Sequence, residues 1–127
     1  LCEAIVRAVA ALGPEAPLTA DANSAYTPDD AGHLARLDAF GLAMLEQPLG
    51  QDDLLRHAEL QRRLTTPICL DESITGVDRA ADMIALGSGR IVNVKPGRVS
   101  GFTTARAIRG SITPGWKKGR VEGRLRS

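Results

Sequence analysis

The stretch Pro67-Ile68-Cys69-Leu70-Asp71-Glu72-Ser73 is a short apolar run that ends abruptly in two acids and a hydroxyl. It reads as a buried strand that delivers a carboxylate at its tip. Glu46 lies 25 residues before Asp71, Asp21 lies 25 before Glu46, and Lys95 lies 24 after Asp71, each behind its own apolar run. Four charged residues share one period, long enough for a strand, a loop and a helix.

The segments between them fit that unit. Ala4, Ile5, Ala8 and Leu12 fall on one helical face closed by Gly13-Pro14, and Leu18 to Ala22 reads as a short strand. Thr27-Pro28-Asp29-Asp30 supplies a cap, a first-turn proline and acids suited to the helix dipole, so a helix should run to about Phe40, where Gly41 stops it. Leu42 to Leu45 then forms a strand ending at Glu46, and Gln51 to Arg63 a helix leading to the Pro67 strand. Val77, Ala80, Ala81, Ile84 and Ala85 mark the next helix, with Thr75 and Asp78 as candidate caps and Gly87 at its end. Arg90 to Gly97 is the fourth strand, and Phe102 to Ile108 begins a further helix.

Strands alternating with helices of this length imply a parallel sheet. An open doubly wound sheet gathers its ligands at one switch point, whereas here every strand contributes a polar residue at its carboxyl end. The expected fold is therefore α/β, a partial TIM-type barrel of about four consecutive βα units. Alternation points Thr19, Met44, Cys69 and Asn93 to the same face as the charged residue two places on, which makes Cys69 an interior filler.

Hydrophobic content of 43% and charged content of 24% in 127 residues fit one soluble domain. No apolar run approaches the ~20 residues of a membrane span, the opening residues do not resemble a secretion signal, and a cytoplasmic location is expected. Two cysteines, Cys2 and Cys69, make no disulfide framework or metal pair. Residues 1–108 carry 10 basic and 14 acidic side chains, residues 109–127 carry 6 and 1. The body is acidic and the tail basic, with no pattern that calls for nucleic acid or membrane.

Taken singly, an acid after a strand is a cap or a solvated loop residue. Together, Asp21, Glu46 and Asp71 on one rim would repel by about 4 kcal/mol per contact pair at an effective dielectric near 20. Positive charge must sit among them, and an all-oxygen donor set suits Mg²⁺ first and Mn²⁺ second. Lys95, near such a cation, would have its pKa lowered and could serve as a base. Glu72 and Asn23 are candidate supporting partners, Arg98 is a candidate substrate contact, and His33 and His57 read as surface residues of their helices.

Asp21-Ala22-Asn23-Ser24-Ala25-Tyr26-Thr27, Glu46-Gln47-Pro48-Leu49, Cys69-Leu70-Asp71-Glu72-Ser73 and Val92-Asn93-Val94-Lys95-Pro96-Gly97-Arg98-Val99 resemble the enolase superfamily. Within its muconate-lactonizing subgroup they are most similar to the o-succinylbenzoate synthase and N-acylamino acid racemase family. The resemblance spans residues 1 to about 108 and implies a (β/α)₇β barrel in which Asp21, Glu46 and Asp71 bind Mg²⁺ and Lys95 is one of two acid/base lysines. The second lysine belongs to a Lys-x-Lys strand that precedes the opening helix in the family. That strand, the N-terminal capping domain and the last barrel strands have no counterpart in these 127 residues. Ser100 stands where the family usually has the first of two glycines.

The implied activity is abstraction of a proton α to a carboxylate through an enediolate, leading to dehydration in menaquinone biosynthesis or to racemisation. Muconate cycloisomerisation and dipeptide epimerisation are more distant choices. The implied partners are a small-molecule carboxylate and, for the full-length enzyme, further copies of itself. Residues 109–127 show no resemblance and read as an irregular basic tail, the mark of a truncated or frame-shifted product. The rival expectation is a catalytically inactive partial barrel with two open strand edges.

Overall fold

The computed structural model describes residues 1–112 of the 127-residue chain. Helix α1 (Cys2–Leu12) is followed by strand β1 (Thr19–Asp21), helix α2 (Ala31–Ala35), strand β2 (Met44–Glu46), helix α3 (Leu54–Arg63), strand β3 (Ile68–Leu70), helix α4 (Val77–Leu86), strand β4 (Ile91–Val92) and helix α5 (Phe102–Ile112). The strands form one parallel sheet in sequential order, β1-β2-β3-β4. Sequential order is what a barrel wall requires, and a doubly wound sheet would reverse it.

Alternation sorts the strands into two faces. Ala20, Leu45, Ile68, Leu70 and Val92 turn toward the helices and join Leu34, Leu37, Met83 and Ile108 in one buried cluster. Each fully buried leucine or isoleucine there contributes about 1.5–3 kcal/mol. The opposite face carries Thr19, Asp21, Met44, Glu46 and Cys69. It is exposed at β1 and buried at β3, because β1 has no outer neighbour among the described residues.

Several boundaries differ from expectation. The helix expected from Thr27 to Phe40 is α only over Ala31–Ala35, with tighter 3₁₀ turns on either side over Pro28–Asp30 and Arg36–Phe40. Its start is fixed as expected, because Asp30 accepts from the Thr27 backbone N–H at 2.8 Å and from the Thr27 hydroxyl at 3.0 Å. Helix α3 begins at Leu54 rather than Gln51 because the Asp53 carboxylate caps the Arg56 N–H at 3.0 Å. Neither Thr75 nor Asp78 caps α4, whose N-cap is the extended Gly76.

The fourth strand is two residues long, not eight. Beyond it the backbone turns on itself: Lys95 O accepts from Arg98 N–H at 2.9 Å, and Pro96 O accepts from Gly101 N–H at 2.8 Å. Lys95 therefore sits on a turn rather than on a strand. Helix α5 continues four residues past Ile108, and both Ile108 and Ile112 are buried. The remaining tail, residues 113–127, lies outside the described residues.

Two devices hold the amino end of β3, a buried one at Gln61 and a partly exposed one at Asp38. Gln61 accepts from Ile68 N–H at 2.7 Å and donates to Thr66 O at 3.2 Å, while Asp38 accepts from Thr65 and Thr66 N–H at 2.9 and 2.8 Å. At Gly89 an added Cβ would stand 2.8 Å from the Ile68 carbonyl oxygen. The α4–β4 turn approaches β3 that closely only because a glycine is there.

Candidate active site

The ladder places the charged residues at different heights. Thr19 lies against Met44, 25 residues on, but Leu45 lies against Ile68, 23 on, and Cys69 against Ile91, 22 on. Asp21 and Glu46 are therefore level partners, whereas Asp71 stands two residues above Cys69, the partner of Glu46. Two residues of strand rise about 7 Å. An offset of two keeps every side chain on the same face, so equal sequence spacing produces an ascending staircase, the stagger of a tilted barrel wall.

Glu46 is half-buried, and Asn93 Nδ2 donates to its Oε1 at 2.9 Å. Burial raises the Glu46 carboxyl above its ordinary value; the Asn93 bond pulls it back, the charges of Asp21 and Asp71 push it up again, and Lys95 lowers it. A carboxylate in this position favours added positive charge. Asp21 is exposed, and its Oδ1 accepts from the backbone N–H of Asn23 at 3.0 Å. Asn23 thus meets Asp21 through its backbone.

Asp71 is the buried member, with its side chain 2% exposed. A carboxylate so enclosed requires counter-charge, and it has two: Lys95 Nζ donates to Oδ2 and Arg98 donates to Oδ1. The bond from Asp71 holds the Lys95 ammonium above its ordinary pKa. The lowering expected of Lys95 belongs to a site that holds a cation, and such a cation and Lys95 would claim the same Asp71 oxygens.

Among the described residues, no three His, Cys, Asp or Glu side chains close on a common ion position as they stand. Both Asp71 oxygens are turned to Lys95 and Arg98. The donor chemistry nevertheless suits a hard divalent cation: three carboxylates on one face, one of them buried and drawing two cations, another destabilised by its neighbours.

Sequence reasoning missed the residue that ties these loops together. Gln47 is fully buried, has a positive φ of 40° and follows Glu46 directly. Its Oε1 accepts from the backbone N–H of Asp71 at 3.0 Å and of Ser73 at 3.2 Å, and its Nε2 donates to Ser73 Oγ at 2.8 Å and Leu49 O at 3.2 Å. A polar side chain between a strand-end carboxylate and Pro48 was the available signal.

The other named residues separate. Glu72 Oε2 is buried without a hydrogen-bond partner among the described residues, as is Asn93 Oδ1. Cys69 is 1% exposed, and burial pushes its thiol far up, which suits an inert filler. His33 is exposed and stacks on Tyr26, but His57 is fully buried, contrary to the surface reading. Its Nε2 accepts from Leu49 N–H at 3.1 Å, its Nδ1 faces Asp53 O at 2.7 Å, and burial keeps it neutral.

Ser100 adopts φ 64°, the left-handed region that glycine occupies freely. Ser100→Gly is expected to stabilise the protein by about 1 kcal/mol, read as a higher urea midpoint with an unchanged slope. An unchanged or lower midpoint would show that the serine side chain compensates for its backbone.

The chain is 53% identical over 114 residues to an N-succinylamino acid racemase of Amycolatopsis sp, covering 87% of this chain and 31% of that protein. It is 56% identical over 104 residues to an o-succinylbenzoate synthase of Geobacillus stearothermophilus, covering 82% and 28%. The chain thus spans less than a third of the length of these curated relatives. The crystal structure of L-talarate dehydratase from Polaromonas sp. JS666, complexed with Mg and L-glucarate, superposes with a TM-score of 0.81 at 27% identity, covering 87% of this chain and 31% of that one. The model of the enolase C-terminal domain-like family matches residues 2–112, nearly everything the structure describes. With sequential parallel strands that each present a polar residue at the carboxyl end, this chain belongs to the enolase C-terminal domain-like family of the enolase superfamily.

Proposed function

We propose that this segment forms part of the catalytic rim of an enzyme that removes a proton α to a carboxylate. The observation that carries the reading is Lys95 Nζ on the buried Asp71 carboxylate, at the carboxyl end of the strands where Asp21 and Glu46 also emerge. Mg²⁺ held by Asp21, Glu46 and Asp71, with Mn²⁺ as a substitute, would supply positive charge where the substrate carboxylate gains negative charge. The magnesium in the talarate dehydratase complex supports that choice.

Within this frame the chain's residues divide the work. Lys95, once released from Asp71 and after losing its own extra proton to solvent, takes the α-proton on its neutral Nζ, and the C–H electron pair moves into the substrate carboxylate. Asn93 orients Glu46 by holding Oε1. Arg98, also on Asp71, is placed to take a substrate oxygen when it swings free. Dehydration follows if a β-hydroxide leaves, and racemisation if a second acid returns a proton to the opposite face. The names of the relatives favour dehydration to o-succinylbenzoate, hence menaquinone biosynthesis, and N-acylamino acid racemisation on the same site.

The test is deuterium exchange at Cα of an N-succinylamino acid in D₂O by the full-length protein. Exchange that needs Mg²⁺ or Mn²⁺ is the expected result; no exchange and no dehydration with either ion would sink the proposal. For the 127-residue chain by itself a second reading, an inactive partial barrel, is favoured by the outer edges of β1 and β4, unpaired among the described residues. The same exchange measured on the isolated chain decides it.

A further inference from the structure

We infer that Gln47 is a positioning residue that sets Asp71 against Glu46 and Asp21, and so governs divalent-cation affinity without touching the ion. The inference rests on the cation site proposed above. Gln47 is joined to all three loops that carry a carboxylate. Its own backbone follows Glu46; its carbonyl accepts from Ser24 N–H at 2.8 Å, three residues after Asp21; its N–H donates to Cys69 O at 2.8 Å; and its side-chain oxygen receives the N–H of Asp71 itself.

Two further features mark this as a built junction. Every polar group of the side chain is engaged although the residue is fully buried, so nothing remains for solvent or ligand. The backbone holds a φ of 40°, a conformation that a non-glycine residue keeps only where its surroundings over-determine it. The ladder leaves Asp71 two residues above the Glu46 level, beyond the last paired residue of β3. The sheet pairs β3 as far as Leu70, and the Gln47 amide takes over the backbone at the next residue, Asp71.

Gln61 provides the control. It is also a buried glutamine that braces backbone groups of β3, through Ile68 N–H and Thr66 O, but at the opposite end of the strand. In the full-length protein, Gln47→Met is expected to weaken Mg²⁺ binding by about 10- to 100-fold, the usual effect of removing a residue that orients a ligand. Gln61→Met should lower the melting temperature comparably and leave Mg²⁺ affinity unchanged. Affinity is measured by isothermal titration and by Mn²⁺ paramagnetic resonance, neither of which depends on turnover.

If Gln47→Met does not fold, Ser73→Ala carries the test, because it removes one acceptor of the Gln47 amide. Weaker Mg²⁺ binding in that variant supports the inference, and unchanged binding overturns it. Equal affinity loss in Gln47→Met and Gln61→Met would also overturn it, reducing both to general stability. A wild-type protein that takes up no Mg²⁺ would overturn the proposed function and this inference together. Wild-type binding that is weakened by Asp71→Ala and untouched by Gln47→Met overturns the inference alone.

Discussion

Asp71→Ala is expected to weaken Mg²⁺ binding by two to three orders of magnitude in the full-length protein, measured by isothermal titration. A unit charge pair at 4 Å and an effective dielectric of 20 is worth about 4 kcal/mol, and each 1.4 kcal/mol is about tenfold in affinity. Asp71 is the most enclosed of the three carboxylates, so solvent screens it least. The same substitution leaves Lys95 and Arg98 without their shared counter-charge. Their side chains are 44% and 27% exposed, so water takes up much of that loss. The drop in cation affinity should therefore far exceed the drop in stability. Unchanged Mg²⁺ affinity would mean that Asp71 exists to hold Lys95 and Arg98 and ligates nothing.

Much of this site was legible because its parts are local. An apolar run that ends in an acid identifies a strand tip, and the recurrence of such tips places Asp21, Glu46 and Asp71 on one face, with Lys95 on the turn beyond β4. Register is not local. The offsets of 25, 23 and 22 residues between neighbouring strands depend on strand tilt and loop packing, so the constant spacing that suggested one rim does not reveal that its residues rise as a staircase. Burial is not local either. His57 has polar sequence neighbours, yet it lies under Leu49 and Asp53, which fold back over the start of α3.

Gln47 was opaque for a related reason: its partners lie 24 and 26 residues away, and a polar residue next to a proline reads as an ordinary turn. The direction of the Lys95 pKa shift depends on which positive charge occupies Asp71: paired with Asp71 as here it is raised, and the lowering expected from sequence belongs to the cation-bound site. The resemblance carried the family, and the geometry supplied the connections among its residues.

Lys95→Ala should abolish α-proton exchange, with a loss of about 10²- to 10⁴-fold for removal of a general base, while Mg²⁺ binding is kept. The ion pair with Asp71 adds a sharper expectation. Lys95 competes for an Asp71 oxygen, and a pair with one partner 44% exposed is worth about 0.2–1 kcal/mol, so the alanine variant should bind Mg²⁺ up to about fivefold more tightly. Lys95→Arg separates charge from proton transfer. It preserves a cation on Asp71 but cannot release a proton near neutral pH, so Mg²⁺ affinity should return toward wild type while exchange stays lost. Exchange retained by Lys95→Arg would remove Lys95 from the proton path and leave it as a counter-ion. Weaker Mg²⁺ binding in Lys95→Ala would show that Lys95 and the cation do not compete for Asp71, and the pairing seen here would then persist in the working enzyme.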